Sequence, residues 1–319
     1  QGFIWNVGGN RAGSPYSYFY PYCLPNKSKC HLGLDEGQPG EYLTDRLTDE
    51  AIAFVRSHKD APFFLHLSHH AVHTALQAPD SLVEKYRNKP AGTYHTNPVY
   101  AAMIEKLDDS VGKLCKEIED LGLSGNTLIV FYSDNGGSEP VTDNYPLNGG
   151  KGMPYEGGSR VPLILKWAGK IEPGSRTSVP VTGVDFYPTF VNLAQGTVSA
   201  DLDGEDLFEV VKNCNFDRDL FWHFPAYLES YADGGQGFRS RPYSSMRSGD
   251  WKLICNYEDQ SLELYNLKED QGETKNLADS CPEKREELYC RLKQWIEQTH
   301  APIPTEPNPY FISSGIKEY

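Results

Sequence analysis

"TLIVFYSDNGG", residues 127–137, is the stretch on which the reading of this chain turns. Thr127 to Tyr132 is β-branched, aliphatic and aromatic, too short for a helix and bounded by "SGN" before and "GG" after, which is the pattern of a strand covered on both faces. Asp134 and Asn135 then fall just past a strand's carboxyl end, the edge at which open α/β sheets bind ligands. Taken alone, Asp, Asn and Gly are the makings of an ordinary turn, which they favour for backbone reasons. An acid and an amide side by side also offer the oxygen ligands that hard cations such as Ca2+ and Mg2+ take.

Working outward, "GEYLTDRLTDEAIAFVRSH" (40–58) spaces Leu43, Leu47, Ala51, Phe54 and Val55 on one helical face, with acids early and Arg56 and His58 late. "PFFLHLS" (62–68) reads as a short buried strand. In "NPVYAAMIEKLDDSVGKLCKEIEDLGL" (97–123), Tyr100, Met103, Ile104, Leu107, Val111, Leu114 and Ile118 form a second apolar face, and Gly122 is its stop. "RVPLILKW" (160–167) is a further strand. Helices alternating with strands predict an α/β sheet with helical crossovers over residues 1–200, after a long surface loop at 1–40. From 201 to 319 the texture changes to short alternating runs, "SSMRSGDWKLICNYE" and "SLELYNL", then a helix at about 281–298. This predicts a small α+β subdomain with an antiparallel sheet, ending in the Pro-rich, extended "APIPTEPNPYF".

The chain has 319 residues, 39% hydrophobic and 23% charged, which describes an ordinary globular protein with room for a substantial core. A formal charge of -14 argues against a nucleic-acid partner but leaves room for a small anion held by local cations. No apolar run approaches the ~18–20 residues of a membrane span. The opening "QGFIWNVGGN" lacks a signal peptide's basic and apolar regions and a Met, so the sequence reads as processed, truncated or excised. Seven cysteines contain no C-x-x-C pair, which gives no zinc or redox motif. In an oxidising compartment Cys281 with Cys290, or Cys23 with Cys30, could pair, and spacing does not decide it. Asn26-Lys27-Ser28 is a glycosylation sequon.

Three loops, each following a predicted strand, should open on one edge of the sheet. "LSHHAVHTALQAP" (67–79) brings His69, His70 and His73, of which at most one is expected to be functional, since no acid or cysteine joins them. "SDNGG" is the second. "NGGKGMPYEGGSRVP" (148–162) surrounds Lys151 with glycines but lacks the spacing of a phosphate loop, and Glu156 and Arg160 read as a pair that holds its shape. An oxygen-ligated cation, an imidazole and an ammonium together suit hydrolysis of a sulfate or phosphate ester.

These stretches resemble the sulfatases of the alkaline-phosphatase superfamily. "GEYLTDRLTDEAIAF", "PFFLHLS", "VHTALQAP", "TLIVFYSDNGG", "GGKGMPYEGGSRVPLILKW", "VTGVDFYPTFVNLAQ", "LDGEDL", "LFWHFP", "MRSGDWKLI" and "LELYNLKEDQGETKNLA" stand in that family's usual order. The resemblance covers nearly the whole chain and corresponds to the later two-thirds of a sulfatase. It implies a mixed sheet flanked by helices, lacking its N-terminal part, plus the C-terminal subdomain. By position, Asp134 and Asn135 match two calcium ligands, His73 the histidine near the sulfate ester, and Lys151 the lysine on a sulfate oxygen. Ala75 stands where the family usually has Pro.

The family's two leading Asp ligands, its C-x-P-S-R type motif that yields formylglycine, and its G-K-W-H-L-G type stretch have no proper counterpart here. "CLPNK" (23–27) and "KCHLG" (29–33) echo the last two in the wrong place and read as coincidence. The implied activity is hydrolysis of a sulfated carbohydrate or aryl sulfate by a formylglycine and calcium mechanism, with the formylglycine segment expected on a missing N-terminal portion and this chain alone inactive. The alternatives are a non-catalytic binding protein derived from a sulfatase, or a phosphodiesterase or phosphonate hydrolase of the superfamily. The resemblance suggests a periplasmic, secreted or lysosomal setting. "NVGGNRAGSPYSYFYPY" and "FPAYLESYADGGQGFRSRPYSS" are aromatic and polar, a composition that could line a sugar site and is also common in unbound loops.

Overall fold

The structure, a computed structural model, describes residues 2–9, 12–26, 29–30, 33–34, 36–139, 141–199, 201–214, 217–229, 238–306 and 308–309. Part of the sequon, of "CLPNK" and of "KCHLG", residues 230–237 and the end of the Pro-rich stretch lie outside them. The chain forms two compact units, residues 1–131 with 164–172, and residues 132–163 with 173–319.

The first unit is built on three helices: α1 (Leu43–His58), α2 (Asp80–Arg87) and α3 (Pro98–Asp120). The α3 start follows from sequence: Asn97 Oδ1 accepts from the amides of Val99 (3.0 Å) and Tyr100 (3.1 Å), and Pro98 opens the helix where no amide donor is needed. Its end comes at Gly122, whose φ of +71° a side chain would resist. Leu43, Leu47, Ala51 and Val55 of α1 are buried as their spacing requires. On α3 the buried stripe is Ala102, Met103, Ser110 and Ile118, whereas Ile104, expected inside, is exposed. Salt bridges tie the helices: Lys106 and Lys113 of α3 meet Asp45 of α1 at 2.7 and 3.2 Å, and Lys85 of α2 meets Glu105 of α3 at 2.7 Å.

Three expectations need correction here. The described part of residues 1–40 is irregular but not merely a surface loop, because Tyr18, Tyr22 and Leu34 are fully buried against Tyr42, Leu43 and Leu47. Their hydroxyls make that burial tolerable: Tyr18 donates to the His73 carbonyl (2.9 Å), Tyr42 to the Gln77 carbonyl (2.8 Å) and Tyr22 to Glu41. Pro62–Ser68 is not a strand in the described residues. It has no regular structure, with Phe63, Leu65 and Leu67 half-buried and Phe64 exposed, and no described strand pairs with it. β1 (Ile129–Tyr132) is a strand but only half-buried, since its one hydrogen-bonded neighbour is β2 (Leu163–Lys166).

The second unit carries α4 (Glu156–Ser159), α5 (Phe186–Leu193), α6 (Leu207–Lys212) and α7 (Pro282–Thr299). A four-stranded antiparallel sheet orders β3 (Asp219–Phe224), β6 (Tyr243–Ser248), β7 (Trp251–Asn256) and β8 (Leu262–Asn266), as the alternating runs predicted. β4 (Leu228–Glu229) and β5 (Phe238–Ser240) form a separate antiparallel ribbon. Met246, Leu253 and Leu264 bury one face of the sheet against Leu288, Leu292 and Ile296 of α7. Each fully buried aliphatic side chain there stabilises by roughly 1.5–3 kcal/mol. Tyr243, Ile254, Tyr265 and Leu267 form a second cluster. Beyond α7 the described tail has no regular structure, and His223 Nε2 holds it by donating to the Pro302 carbonyl at 2.9 Å. Among the described residues no helix is long and apolar enough to cross a membrane.

Candidate substrate and metal-binding loops

Asp134 and Asn135 stand at residues 133–139 just after β1, with Asp134 exposed and Asn135 half-buried. The glycines that follow answer to a close approach between two backbones. A β-carbon on Gly136 would lie 1.7 Å from the Gly157 carbonyl oxygen, and one on Gly157 would lie 2.1 Å from the Gly149 oxygen. One on Gly158 would lie 2.3 Å from the Met153 oxygen. The space so kept free is filled by hydrogen bonds: Gly136 N donates to Gly158 O (3.0 Å), Lys151 N to Gly137 O (2.9 Å) and Gly157 N to Asn148 O (2.7 Å). Asn144 closes the arrangement, accepting from Gly137 N (3.0 Å) and donating to Gly137 O (3.0 Å) and Gly149 O (3.1 Å). Asp134, Asn135 and Lys151 are thus carried by one interlocked backbone cradle. Within the described residues the Lys151 ammonium has no partner.

The cradle is bolted to the antiparallel sheet by a buried ion cluster. Lys252 of β7, 1% exposed at its side chain, reaches Glu156 Oε1 at 3.0 Å and Glu273 Oε1 at 2.8 Å. Glu273 Oε2 also accepts from the Glu156 amide at 2.7 Å. Burial opposes both carboxylates' charge. For Glu156 the attraction of Lys252 outweighs it and the pKa is held low, whereas for Glu273 burial wins and the pKa is raised. Glu156 also meets Arg160 at 3.3 Å, the shape-holding pair expected from sequence. A second anchor is Asp185, fully buried, which receives Arg218 through two 2.9 Å bonds and the amides of Thr182 (2.8 Å) and Glu205 (2.9 Å). It lies beside the end of β1, where the rings of Tyr132 and Phe186 stand 4.9 Å apart. Burial, then the charges of Asp185 and Asp134, raise the Tyr132 pKa.

His73 belongs to the first unit and is half-buried. Its Nδ1 lies 2.8 Å from the Thr74 carbonyl, which accepts from it, leaving Nε2 as the ring nitrogen for other work. Its amide donates to the His70 carbonyl at 2.8 Å. His69 is occupied elsewhere. Thr48 gives its hydroxyl proton to the Thr44 carbonyl (2.6 Å), so Ser110 donates to Thr48 and accepts from His69 Nε2 at 2.9 Å. Burial, with help from His70, lowers the His69 pKa to about 4.

Cys23 and Cys30 form a disulfide, while Cys281 and Cys290 are free, which decides between the two pairings open in the sequence. A disulfide-bonded Cys23 is unavailable for conversion to formylglycine, in line with reading "CLPNK" as coincidence. Calcium takes ~6–8 oxygens. Asp134 and Asn135 supply two side chains, and among the described residues no group of three or more His, Cys, Asp or Glu could hold a metal ion. The residues present do not by themselves make a calcium site.

Sequence reasoning missed Asn144, Lys252, Glu273 and the Asp185–Arg218 pair. Lys252 and Glu273 stand 96 and 117 residues from Glu156 along the chain, beyond any local pattern. Asn144, seven residues after Gly137, carried only the ordinary signal of a turn.

The acid-amide loop and the lysine loop are thus locked together on one backbone arrangement. Comparison with known proteins is specific. The family model described as Sulfatase matches residues 1–197, and that described as N-sulphoglucosamine sulphohydrolase, C-terminal, matches residues 150–301. The chain belongs to the sulfatase family, and its fold is the α/β fold of that family. It is 36% identical to a sulfatase of Formosa agariphila, across 96% of this chain and 60% of that protein. It is 32% identical to steryl-sulfatase of Rattus norvegicus, across 76% of this chain and 42% of that protein. Among solved structures, Ps i-CgsB in complex with k-i-k-neocarrahexaose superposes with a TM-score of 0.73 at 29% identity, across 88% of this chain and 63% of that one. The chain therefore spans about 60% of the Formosa agariphila relative's length.

Proposed function

We propose that this chain is the larger part of a sulfuric ester hydrolase acting on a sulfated carbohydrate. The observation that carries the reading is the interlocked cradle, in which Lys151 N donates to Gly137 O and Gly136 N to Gly158 O, holding Asp134, Asn135 and Lys151 on one rigid backbone. Family membership and the k-i-k-neocarrahexaose named in the Ps i-CgsB complex support a sulfate ester on a carbohydrate as the substrate class. Lys151 would neutralise a sulfate oxygen as a point charge. His73, whose Nδ1 is engaged with Thr74 O, would present Nε2 to the ester and, once protonated, give its proton to the departing alcohol oxygen. Asp134 and Asn135 would contribute two oxygen donors to a calcium site completed by a segment outside this sequence. A calcium ion held there would supply positive charge to a sulfate oxygen, and a formylglycine would supply the nucleophile, each with residues of that segment.

The test is expression of the 319-residue chain alone and joined to the coding segment upstream of Gln1, each assayed on aryl sulfates, aryl phosphates and a phosphonate ester. Sulfate-ester turnover by the joined protein alone supports the reading. Faster turnover of phosphate or phosphonate esters transfers the chain to the related hydrolases of the superfamily, and no turnover of any ester leaves a binding protein.

A further inference from the structure

Gly152, the residue after Lys151, sits at φ +85°. A β-carbon there would stand 2.3 Å from Leu228 Cδ1 and 3.7 Å from Arg239 Cζ and Nε. Leu228 and Arg239 come from the two arms of the β4–β5 ribbon, whose register pairs Leu228 with Ser240 and Glu229 with Phe238. The absence of a side chain at 152 thus lets the ribbon lie directly on the lysine loop, with the guanidinium within van der Waals reach of the place a side chain would take. Glu139 borders the same loop, since a β-carbon on Gly150 would stand 3.0 Å from its Cγ. Burial lowers the Arg239 pKa and the charge of Glu139 offsets that in part. Lys151 and Arg239 thus both border this loop, with Glu139 beside it, in a chain whose formal charge is -14.

We propose that Arg239 is a specificity-determining residue: it binds a second anionic group of a polyanionic glycan whose reacting sulfate is held by Lys151. The assignment rests on the sulfatase reading and names the substrate class within it. Arginine suits the task because its guanidinium is weakly hydrated, keeps its charge when partly buried and presents a planar fork matched to sulfate or carboxylate oxygens. Glu139 serves as the resting counter-charge, so the cation is not left bare before substrate arrives. A simple aryl sulfate has one anionic group and draws nothing from Arg239. A glycan with two sulfates per repeat draws on both cations.

The experiment uses the protein joined to its upstream segment and measures kcat/KM on 4-nitrophenyl sulfate and on a galactan hexasaccharide carrying two sulfates per disaccharide. The ratio of hexasaccharide to aryl-sulfate kcat/KM is expected to fall about 10–100-fold in Arg239→Ala, the loss of one charge-assisted contact. Arg239→Lys, which keeps the charge without the fork, is expected to recover part of it. Where Arg239→Ala yields no folded protein, Arg239→Gln gives the same comparison. A ratio within threefold of wild type, whether both activities persist or both fall together, overturns the proposal and makes Arg239 a structural residue. Wild-type protein that hydrolyses neither substrate refutes the sulfatase reading itself, before any variant is made, and the Arg239 assignment falls with it.

Discussion

Replacing Lys252 by Met removes the ammonium that two buried carboxylates share. The side chains of Glu156 and Glu273 are 5% and 0% exposed, so neither can recover its lost partner from water. Removing one member of a buried ion pair costs about 3–5 kcal/mol because the remaining charge is stranded. With a urea m-value of about 2–3 kcal/mol/M, the midpoint should fall by about 1–2.5 M. The loss should also depend on pH. In the wild type, Glu156 has a lowered pKa, so its contribution is present above the unfolded-state pKa and lost as pH falls. Glu273 has a raised pKa, so its contribution is present at low pH and lost as pH rises. Without Lys252, burial raises both, and the variant should be most damaged at high pH. Urea titrations followed by tryptophan fluorescence, at pH 7.5 and pH 5, measure this. A loss below about 1 kcal/mol at pH 7.5, or a larger loss at pH 5, refutes the claim that this cluster anchors the cradle.

His69, neutral and with its pKa lowered to about 4 from an ordinary 6.5, binds fewer protons folded than unfolded. Stability should therefore be complete above pH 6.5 and decline by about 3 kcal/mol as pH falls through 4, which an NMR titration showing His69 uncharged at pH 5 would check. Gly136→Ala forces a methyl to 1.7 Å from the Gly157 oxygen and should cost about 3 kcal/mol or more, while Gly40→Ala, with φ +86° but open space around it, should cost about 1–2 kcal/mol; thermal melts compare the two. Cys23→Ser with Cys30→Ser opens a link between residues separated by 7 positions and should cost about 2–3 kcal/mol, read as a lowered urea midpoint matched by reduction of the wild type.

Local patterning made the helices legible: the apolar spacing of α1 and the Asn97-Pro98 start of α3 carry their own signals, and the alternating runs of β6 to β8 identify an antiparallel sheet. Strands were less so. "PFFLHLS" is as apolar as a central strand, but strand status is conferred by a hydrogen-bonded neighbour, and no described strand stands beside it. Of the site, the Asp134-Asn135 and Lys151 loops announced themselves by their glycines, although those glycines admit backbone to backbone, a purpose visible only once Gly157 is seen against Gly136. Tyr18 and Tyr22 read as surface residues because a tyrosine's burial depends on a distant acceptor, here the His73 carbonyl and Glu41. Lys252 was invisible for the same reason.

The most direct test of the account is sulfate-ester hydrolysis by the protein joined to its upstream segment, with Lys151→Ala and His73→Ala alongside. The account predicts turnover of a sulfated oligosaccharide by the joined protein, a fall of at least ~100-fold in each variant, and none by the 319-residue chain alone. Equal turnover by the 319-residue chain, or a joined protein whose activity is indifferent to Lys151 and His73, would contradict it.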